Sequence, residues 1–222
     1  MVRLHLVVEG QTEETFVRDV LAPVLGEQAV VADVHRVTTG RRGAKAYRGG
    51  LVTYRHLRRD LEIWMKEDKH PDSWFTTMVD LYRLPSDFPG LEKSRSIADP
   101  IKRVEFLEDE LKSDLGRPQL VPYIQLHEFE ALLFSDPESF SIAFPGRAKK
   151  IAALQEIRQA AASPEHIDDG AETAPSKRIS KVLPEYVKTS SGPLIAQKIG
   201  LGRIRRECIH FDAWVAALLK LG

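Results

Sequence analysis

Apolar positions along the first 134 residues switch repeatedly between the spacing of a strand and the spacing of a helix. The segment "VRLHLVV" alternates Val2, Leu4, Leu6 and Val8 with more polar neighbours, a period of two that is typical of a strand. The other predicted strands are "AVVADVHRV", "SWFTTMVD" and "QLVPYIQL", the last weakened or placed at an edge by Pro122. Predicted helices run from Thr12, as N-cap, to about Ala22, from about 51 to 66, and from about 100 to 115.

This alternation predicts an α/β fold with a largely parallel sheet flanked by helices. The character of the chain changes after about residue 135, where an alanine-rich helix, a polar loop and further helices follow. The last of these, "RECIHFDAWVAALLKL", has an amphipathic pattern. We therefore predict a core over residues 1–135 and a helical C-terminal extension over residues 136–222 that packs on this core.

Bulk composition narrows the class of protein. The 222 residues carry a formal net charge of zero, and Cys208 is the single cysteine, which excludes an internal disulfide and a cysteine-based zinc cluster. Apolar runs are too short for a membrane span, and the first residues lack a signal-peptide layout, so we expect a cytoplasmic protein with no membrane partner. Charge is segregated, however: residues 36–59 contain eight basic residues and no acidic one.

Carboxylates fall where the predicted strands end. Glu9 follows the first strand, Asp80 ends the third, and Glu128 comes shortly after the fourth. Ligands of open parallel sheets bind beyond the carboxyl ends of the strands. Oxygen ligands suit hard cations, so these residues predict a site for Mg²⁺ or Mn²⁺ and for metal-assisted phosphoryl chemistry. Each residue also has an ordinary interpretation, as a turn residue or as an acidic residue in the first turn of a helix.

Glu128, which is closer to the strand end, is preferred over Glu130 as the third member of this site. Two residues apart on a helix, their side chains diverge by about 200°, so only one would face a shared ligand; in a strand, both would face the same way. His127 has two interpretations. It is a metal ligand or general base, or it has a purely structural role.

Two basic segments are candidates for contact with a phosphodiester backbone. The glycine-rich segment "TTGRRGAKAYRGG" offers Arg41, Arg42 and Lys45, and a basic hairpin tip without a ligand is an equally good interpretation. In "APSKRISKVL", Lys177 and Arg178 stand at the predicted start of a helix with Ser176 as cap, where cations oppose the helix dipole. We expect Lys177 and Arg178 nearest the chemistry. A third basic segment places Lys188 beside "SSGP", interpreted as a loop that could approach phosphate.

Four segments in this order resemble a known family. "VVEGQTEETFV" followed by "TTMVDLYRLP" is similar to a Toprim-type metal-binding domain. Together with "YIQLHEFEALLFSD" and "APSKRISKVLPEYVKTSSGPLIAQKIGLGRIRRECIHFDAWV", they resemble the bacterial Toprim-like family called domain of unknown function 4276, over nearly the whole chain.

The resemblance implies a Toprim-like core and a Mg²⁺-dependent nuclease related to the overcoming-lysogenization-defect type. It further implies an ATPase partner and a setting in phage defence. By position, Glu9 takes the family's glutamate role and Asp80 the first aspartate of an Asp-x-Asp pair, with Glu128 and Lys177 as further catalytic candidates. Tyr82 stands where the second aspartate is expected; either Glu128 or Asp87 substitutes, or one ion binds rather than two.

Two functions remain open at this stage. One is a nuclease acting on DNA or RNA. The other is a non-catalytic Toprim-like module that binds nucleic acid or docks on an ATPase partner. The sequence leaves open whether the chain forms a homo-oligomer.

Overall fold

A computed structural model describes residues 1–42, 45–48, 51, 53–167, 170 and 172–222, with the side chains of 39–42 and 45–48 excepted. The strands are β1 (Val2–Val8), β2 (Val30–Arg36), β3 (Thr38–Arg42), β4 (Lys45–Arg48), β5 (Ser73–Asp80), β6 (Leu120–Val121) and β7 (Ile124–Gln125). The α-helices are α1 (Gln11–Phe16), α2 (Ala22–Gly26), α3 (Tyr54–Glu67), α4 (Leu91–Ser94), α5 (Pro100–Leu115), α6 (Ala148–Gln159), α7 (Pro175–Val182), α8 (Lys188–Ile199), α9 (Leu201–Glu207) and α10 (Ile209–Leu219). Short 3-10 helices span Leu81–Arg83, Phe129–Ser135, Pro137–Ile142 and Pro164–His166, and a π-helical turn spans Val17–Leu21.

The main sheet is parallel, in the order β2-β1-β5-β6, and β7 also pairs with β5. In the central pair, Val8 of β1 lies opposite Met78 of β5, so these two strands end side by side. The predicted α/β class with a parallel sheet flanked by helices is confirmed. Within the glycine-rich basic segment, the described strands β3 and β4 pair antiparallel.

Two proline positions behave differently from the sequence prediction. Pro122 does more than weaken the fourth strand: it separates β6 from β7, since proline cannot donate to a ladder hydrogen bond. The first helical segment was predicted to end before Pro23, yet it continues to Gly26. The π-helical turn precedes α2, and Pro23 lies at the start of α2, where a missing N–H costs little.

The two faces of the sheet bury separate sets of apolar side chains. One face, with Leu4, Leu6 and Val8, packs against α1 and against apolar side chains from the C-terminal helices. The other face, with Val7 and Val79, packs against α3 and α5. Trp214 of α10 donates its indole N–H to the Thr76 hydroxyl in the middle of β5 at 2.8 Å.

The C-terminal residues therefore complete the core on one face of the sheet. The boundary at residue 135 stays a prediction. In the described part of the chain, no helix combines the length and apolar composition needed to cross a bilayer.

Candidate metal centre

Glu9 and Asp80 meet at the carboxyl end of the two central strands. Glu9 Oε2 accepts a hydrogen bond from the Asp80 backbone N–H at 3.3 Å. Both residues are buried, with 8% and 4% of their surface exposed. The parallel pairing of β1 with β5 causes this meeting, because it aligns strand ends that are 71 residues apart in sequence.

Asp80 also fixes the segment that contains Glu128 and Glu130. Its Oδ1 accepts from the Phe129 backbone N–H at 3.0 Å, at the start of the 3-10 helix. Glu128 precedes that helix in an extended conformation, and both glutamates are buried. The helical geometry assumed in the sequence analysis therefore does not apply: both carboxylates lie close enough to Asp80 to interact with it electrostatically.

The backbone of His127 turns the chain into this arrangement. His127 has φ of 62°, in the left-handed region that non-glycine residues occupy at a cost of about 1–3 kcal/mol. Its carbonyl accepts from the Tyr82 N–H at 2.9 Å, and its Nε2 lies 3.1 Å from the Glu165 carbonyl oxygen. These contacts fix the strained turn just before Glu128.

Glu13 is a fifth carboxylate at this rim, and the sequence analysis did not propose it. It is 3% exposed, and its Oε2 lies 3.1 Å from where a Cβ on Gly10 would stand. Gly10 is the N-cap of α1 and has an extended backbone that any residue can adopt, so a side chain at this position would act only by pressing on the Glu13 carboxylate. The predicted cap, Thr12, is instead a buried residue within α1. We define the acidic rim as Glu9, Glu13, Asp80, Glu128 and Glu130.

Lys188 is a cation in direct contact with the acidic rim. Its Nζ lies 3.4 Å from Asp80 Oδ2 and 3.0 Å from Glu130 Oε2. Glu130 Oε1 accepts from the Tyr186 hydroxyl at 3.2 Å. Lys188 opens α8, a position where the helix dipole disfavours a cation, and the rim carboxylates account for its presence. The "SSGP" segment after it is helical rather than a loop.

Burial and mutual repulsion shift the titration of the rim. Burial, followed by the charge of Asp80, raises the pKa of Glu9 to about 7 and that of Glu13 to about 8. Burial raises the pKa of Glu130 to about 7, although Lys188 opposes the shift, and it also raises the pKa of Asp80. Burial opposes the charge of Lys188, but Asp80 and Glu130 outweigh it and raise its pKa. The rim therefore holds protons near neutral pH that a bound cation would displace.

The other predicted basic residues lie away from these contacts or outside what is described. Lys177 is exposed, and Arg178 donates from Nε to the Thr173 carbonyl at 2.5 Å. Ser176 is not the cap of α7: Ala174 takes that position with Pro175 next, and the Ser176 N–H instead donates to Glu128 Oε2 at 3.0 Å. The backbones of Arg41, Arg42 and Lys45 belong to β3 and β4, but their side chains lie outside the described part of the structure.

Tyr82, at the position of the missing aspartate, and Asp87, one of its two proposed substitutes, both have contacts elsewhere. Tyr82 is half-buried in the short helix after β5. Asp87 Oδ1 accepts from the Tyr54 N–H at the start of α3, at 2.9 Å. Glu13 and Glu130 are the additional acidic groups that the fold brings to the rim.

Comparison with known proteins places the chain in a family. The model of a domain of unknown function, DUF4276, matches residues 8–219. The chain belongs to the DUF4276 family. The match spans both the acidic rim and the C-terminal helices of this DUF4276 protein.

The chain was also compared with curated proteins and with solved structures. No curated protein matches the sequence. Among solved structures, the C-terminal region of the Xanthomonas campestris pv. campestris OLD protein matches at 14% identity, with 98% of this chain and 97% of that chain covered and a TM-score of 0.39.

Proposed function

We propose that the acidic rim binds a hard divalent cation, Mg²⁺ or Mn²⁺, and that the protein hydrolyses phosphodiester bonds in nucleic acid. The observation behind this proposal is the convergence of five buried carboxylates from three distant segments on one end of the parallel sheet. Burying several carboxylates together is costly unless a cation balances their charge.

The donor set suits such a cation. The rim offers carboxylate oxygens, which Mg²⁺ and Mn²⁺ prefer over nitrogen or sulfur ligands. Lys188 ion-pairs with two rim residues, and Arg83 is near enough to lower the pKa of Glu9. When all five carboxylates are ionised, their charge exceeds these two positive charges. Glu9, Asp80 and Glu128 are the residues that we expect to hold the ion, as in the sequence analysis.

The protein's own residues have separate roles in this proposal. When bound, the cation would polarise a phosphoryl oxygen and offset the charge that develops during hydrolysis. Lys188 would stabilise negative charge on the substrate, because its Nζ is held beside Asp80 and its side chain is 38% exposed. Glu13, which is not one of the expected ligands, has a pKa of about 8 and is suited to exchange a proton near neutral pH.

The second candidate is a module that binds nucleic acid, or docks on an ATPase partner, without cutting. Two observations favour it: Tyr82 replaces an expected aspartate, and Lys188 already neutralises part of the charge on Asp80. In this case the rim would hold a cation only weakly, with Lys188 substituting for it. The ATPase partner and a defence role follow from the family resemblance alone.

A nuclease assay tests the proposal. Untagged protein is incubated with single- and double-stranded DNA and RNA, with Mg²⁺, Mn²⁺ or EDTA. We expect metal-dependent cleavage by the wild type and a loss of at least about 100-fold in Asp80→Asn. Asp60→Asn is the matched control, because Asp60 is a buried aspartate that accepts from the Thr38 N–H, outside the rim.

The outcomes separate the two candidates. Cleavage that EDTA and Asp80→Asn both abolish supports the nuclease. Metal-independent cleavage, or equal activity in Asp80→Asn, would overturn it. Metal binding without cleavage of any of the four substrates favours the binding module.

A further inference from the structure

A second cluster of ligand-type side chains lies on β1 and β2, separate from the acidic rim. In the parallel register, His5 of β1 is opposite Asp33 of β2, and His35 is two residues further along β2 on the same side. His5 precedes Glu9 by four residues, about 13 Å of strand. Because β2 is the edge strand of the main sheet, Asp33 reaches solvent, with 65% of its side chain exposed.

The distances within this cluster match the edges of a tetrahedral site. His5 Nδ1 lies 3.3 Å from His35 Nε2, and His35 Nε2 lies 3.3 Å from Asp33 Oδ2. The three ligand atoms all lie within 4.8 Å of one another. For ligand bonds of about 2.0–2.1 Å, neighbouring vertices of a tetrahedron are separated by about 3.3–3.4 Å. The exposed Asp33 side chain is free of the packing that fixes the two histidines, so it can adjust its position.

A half-buried carboxylate, Asp68, orients His5 for coordination. His5 Nε2 lies 2.9 Å from Asp68 Oδ2, and this hydrogen bond requires the proton on Nε2, which leaves a lone pair on Nδ1 directed at His35. Asp68 is itself held by Arg3 Nη2 at 2.9 Å and by the His70 N–H at 3.1 Å. A carboxylate that accepts from the far nitrogen of a histidine is the usual outer partner of a metal-bound imidazole.

Aromatic stacking holds both imidazole rings in place. The His35 ring stacks on Trp64 with centroids 3.6 Å apart and planes 16° apart, and the His5 ring stacks on Phe75 at 5.2 Å and 15°. The side chains of His5 and His35 are only 10% and 13% exposed, respectively. The two nitrogens are therefore preorganised, and binding an ion would not require the rings to move far.

We propose that His5 Nδ1, His35 Nε2 and Asp33 Oδ2 bind one zinc-class divalent ion, with water in the fourth position. Two imidazole nitrogens and one carboxylate oxygen suit Zn²⁺, Co²⁺ or Ni²⁺, whereas Mg²⁺ prefers oxygen ligands alone. The protein would then have two chemically distinct cation sites. The ion would join edge strand β2 to central strand β1, so that binding stabilises the fold whatever the acidic rim does.

Zinc and cobalt titrations of untagged, EDTA-treated protein test this site. We expect one equivalent of Zn²⁺ to bind in competition with a chromophoric chelator, and Co²⁺ to give the intense visible absorption of tetrahedral coordination. Asp33→Asn should weaken binding at least tenfold, and it carries little folding risk because Asp33 is exposed. Asp68→Asn should weaken binding by about 10–100-fold through His5.

Two controls distinguish this site from other binding. Asp72→Asn alters a nearby exposed aspartate, with 54% of its side chain exposed, and should leave Zn²⁺ affinity unchanged. Asp80→Asn should also leave it unchanged, which separates this site from the acidic rim. Equal affinity in the wild type, Asp33→Asn and His35→Gln would mean adventitious binding only and would overturn the proposal, as would loss of Zn²⁺ binding in Asp80→Asn alone. Circular dichroism confirms that each variant is folded.

Discussion

Replacing Asp80 with asparagine separates two effects on the stability of the acidic rim. One is the repulsion between its buried carboxylates, and the other is the stabilisation by a bound cation. The change keeps the shape of the side chain, so its Oδ1 can still accept from the Phe129 N–H. It removes a charge that raises the pKa of Glu9 and of Glu13, and it also removes the ion pair with Lys188. Since the folded protein raises the pKa of Asp80, it favours the neutral carboxyl, and a neutral asparagine should not lower the melting temperature in EDTA.

In the presence of metal, Asp80→Asn should instead be less stable than the wild type, because the substitution weakens cation binding. A ligand at 100 times its Kd stabilises the native state by about 2.7 kcal/mol. For a chain of this length, each kcal/mol raises the melting temperature by about 2–4 °C, so saturating Mg²⁺ or Mn²⁺ should raise that of the wild type by about 5–11 °C. If losing the Asp80 charge weakens binding about 100-fold, the same concentration stabilises the variant by only about 0.4 kcal/mol, or about 1–2 °C.

Differential scanning fluorimetry with and without metal measures both quantities, and isothermal titration gives the affinities directly. Asp60→Asn, the buried control outside the rim, should keep the full metal-induced shift even if its own stability changes. An equal metal-induced shift in Asp80→Asn and wild type would refute the placement of the ion at Asp80. No shift in the wild type with either metal would refute the cation site itself.

Three further predictions concern the acidic rim and the two side chains, Lys188 and Tyr186, that contact it. Lys188→Met should reduce cleavage by about 100-fold or more while leaving the affinity for Mg²⁺ equal or tighter, because the lysine competes for Asp80; weaker metal binding would contradict this role. Tyr186→Phe should cost about 1–3 kcal/mol in urea unfolding, because it removes the hydroxyl that donates to buried Glu130; an unchanged midpoint would show that this bond does not contribute. Raised folded-state pKa values of about 7 for Glu9 and Glu130 mean that their stabilising contribution is present below about pH 4.5 and is lost as pH rises through 7. Melting temperatures in EDTA should therefore fall from pH 5.5 to 8.5, more steeply in wild type than in Asp80→Asn; equal slopes would contradict the coupling.

Local sequence patterns correctly predicted several strands and helices of the fold. The strand at Ser73–Asp80 and the helix at Pro100–Leu115 were predicted with their observed bounds, because alternation and helical spacing are short-range signals. The meeting of Glu9 with Asp80 followed from one general rule about parallel strands. Their role in metal binding stays a prediction.

The positions of Glu13, Glu130 and Lys188 were harder to predict from the sequence. Glu13 is four residues from Glu9, in the first turn of α1, where an acidic residue is ordinary whatever its function. Glu130 was set aside because a regular helix was assumed, whereas the left-handed His127 and extended Glu128 change the geometry. A lysine at the first position of a helix was a usable signal for Lys188, but the segment was interpreted as a loop.

The amino-acid sequence by itself determined the family, the α/β class and the strand ends where acidic residues stand. These features depend on periodicity and on neighbours along the chain. Only the tertiary structure decided which further charged groups join Glu9 and Asp80. Lys188 reaches Asp80 across 108 residues, and His5 meets Asp33 and His35 through the pairing of β1 with β2. Such contacts depend on how α8 packs and on the register of the sheet, which many distant apolar contacts determine together and no local pattern encodes.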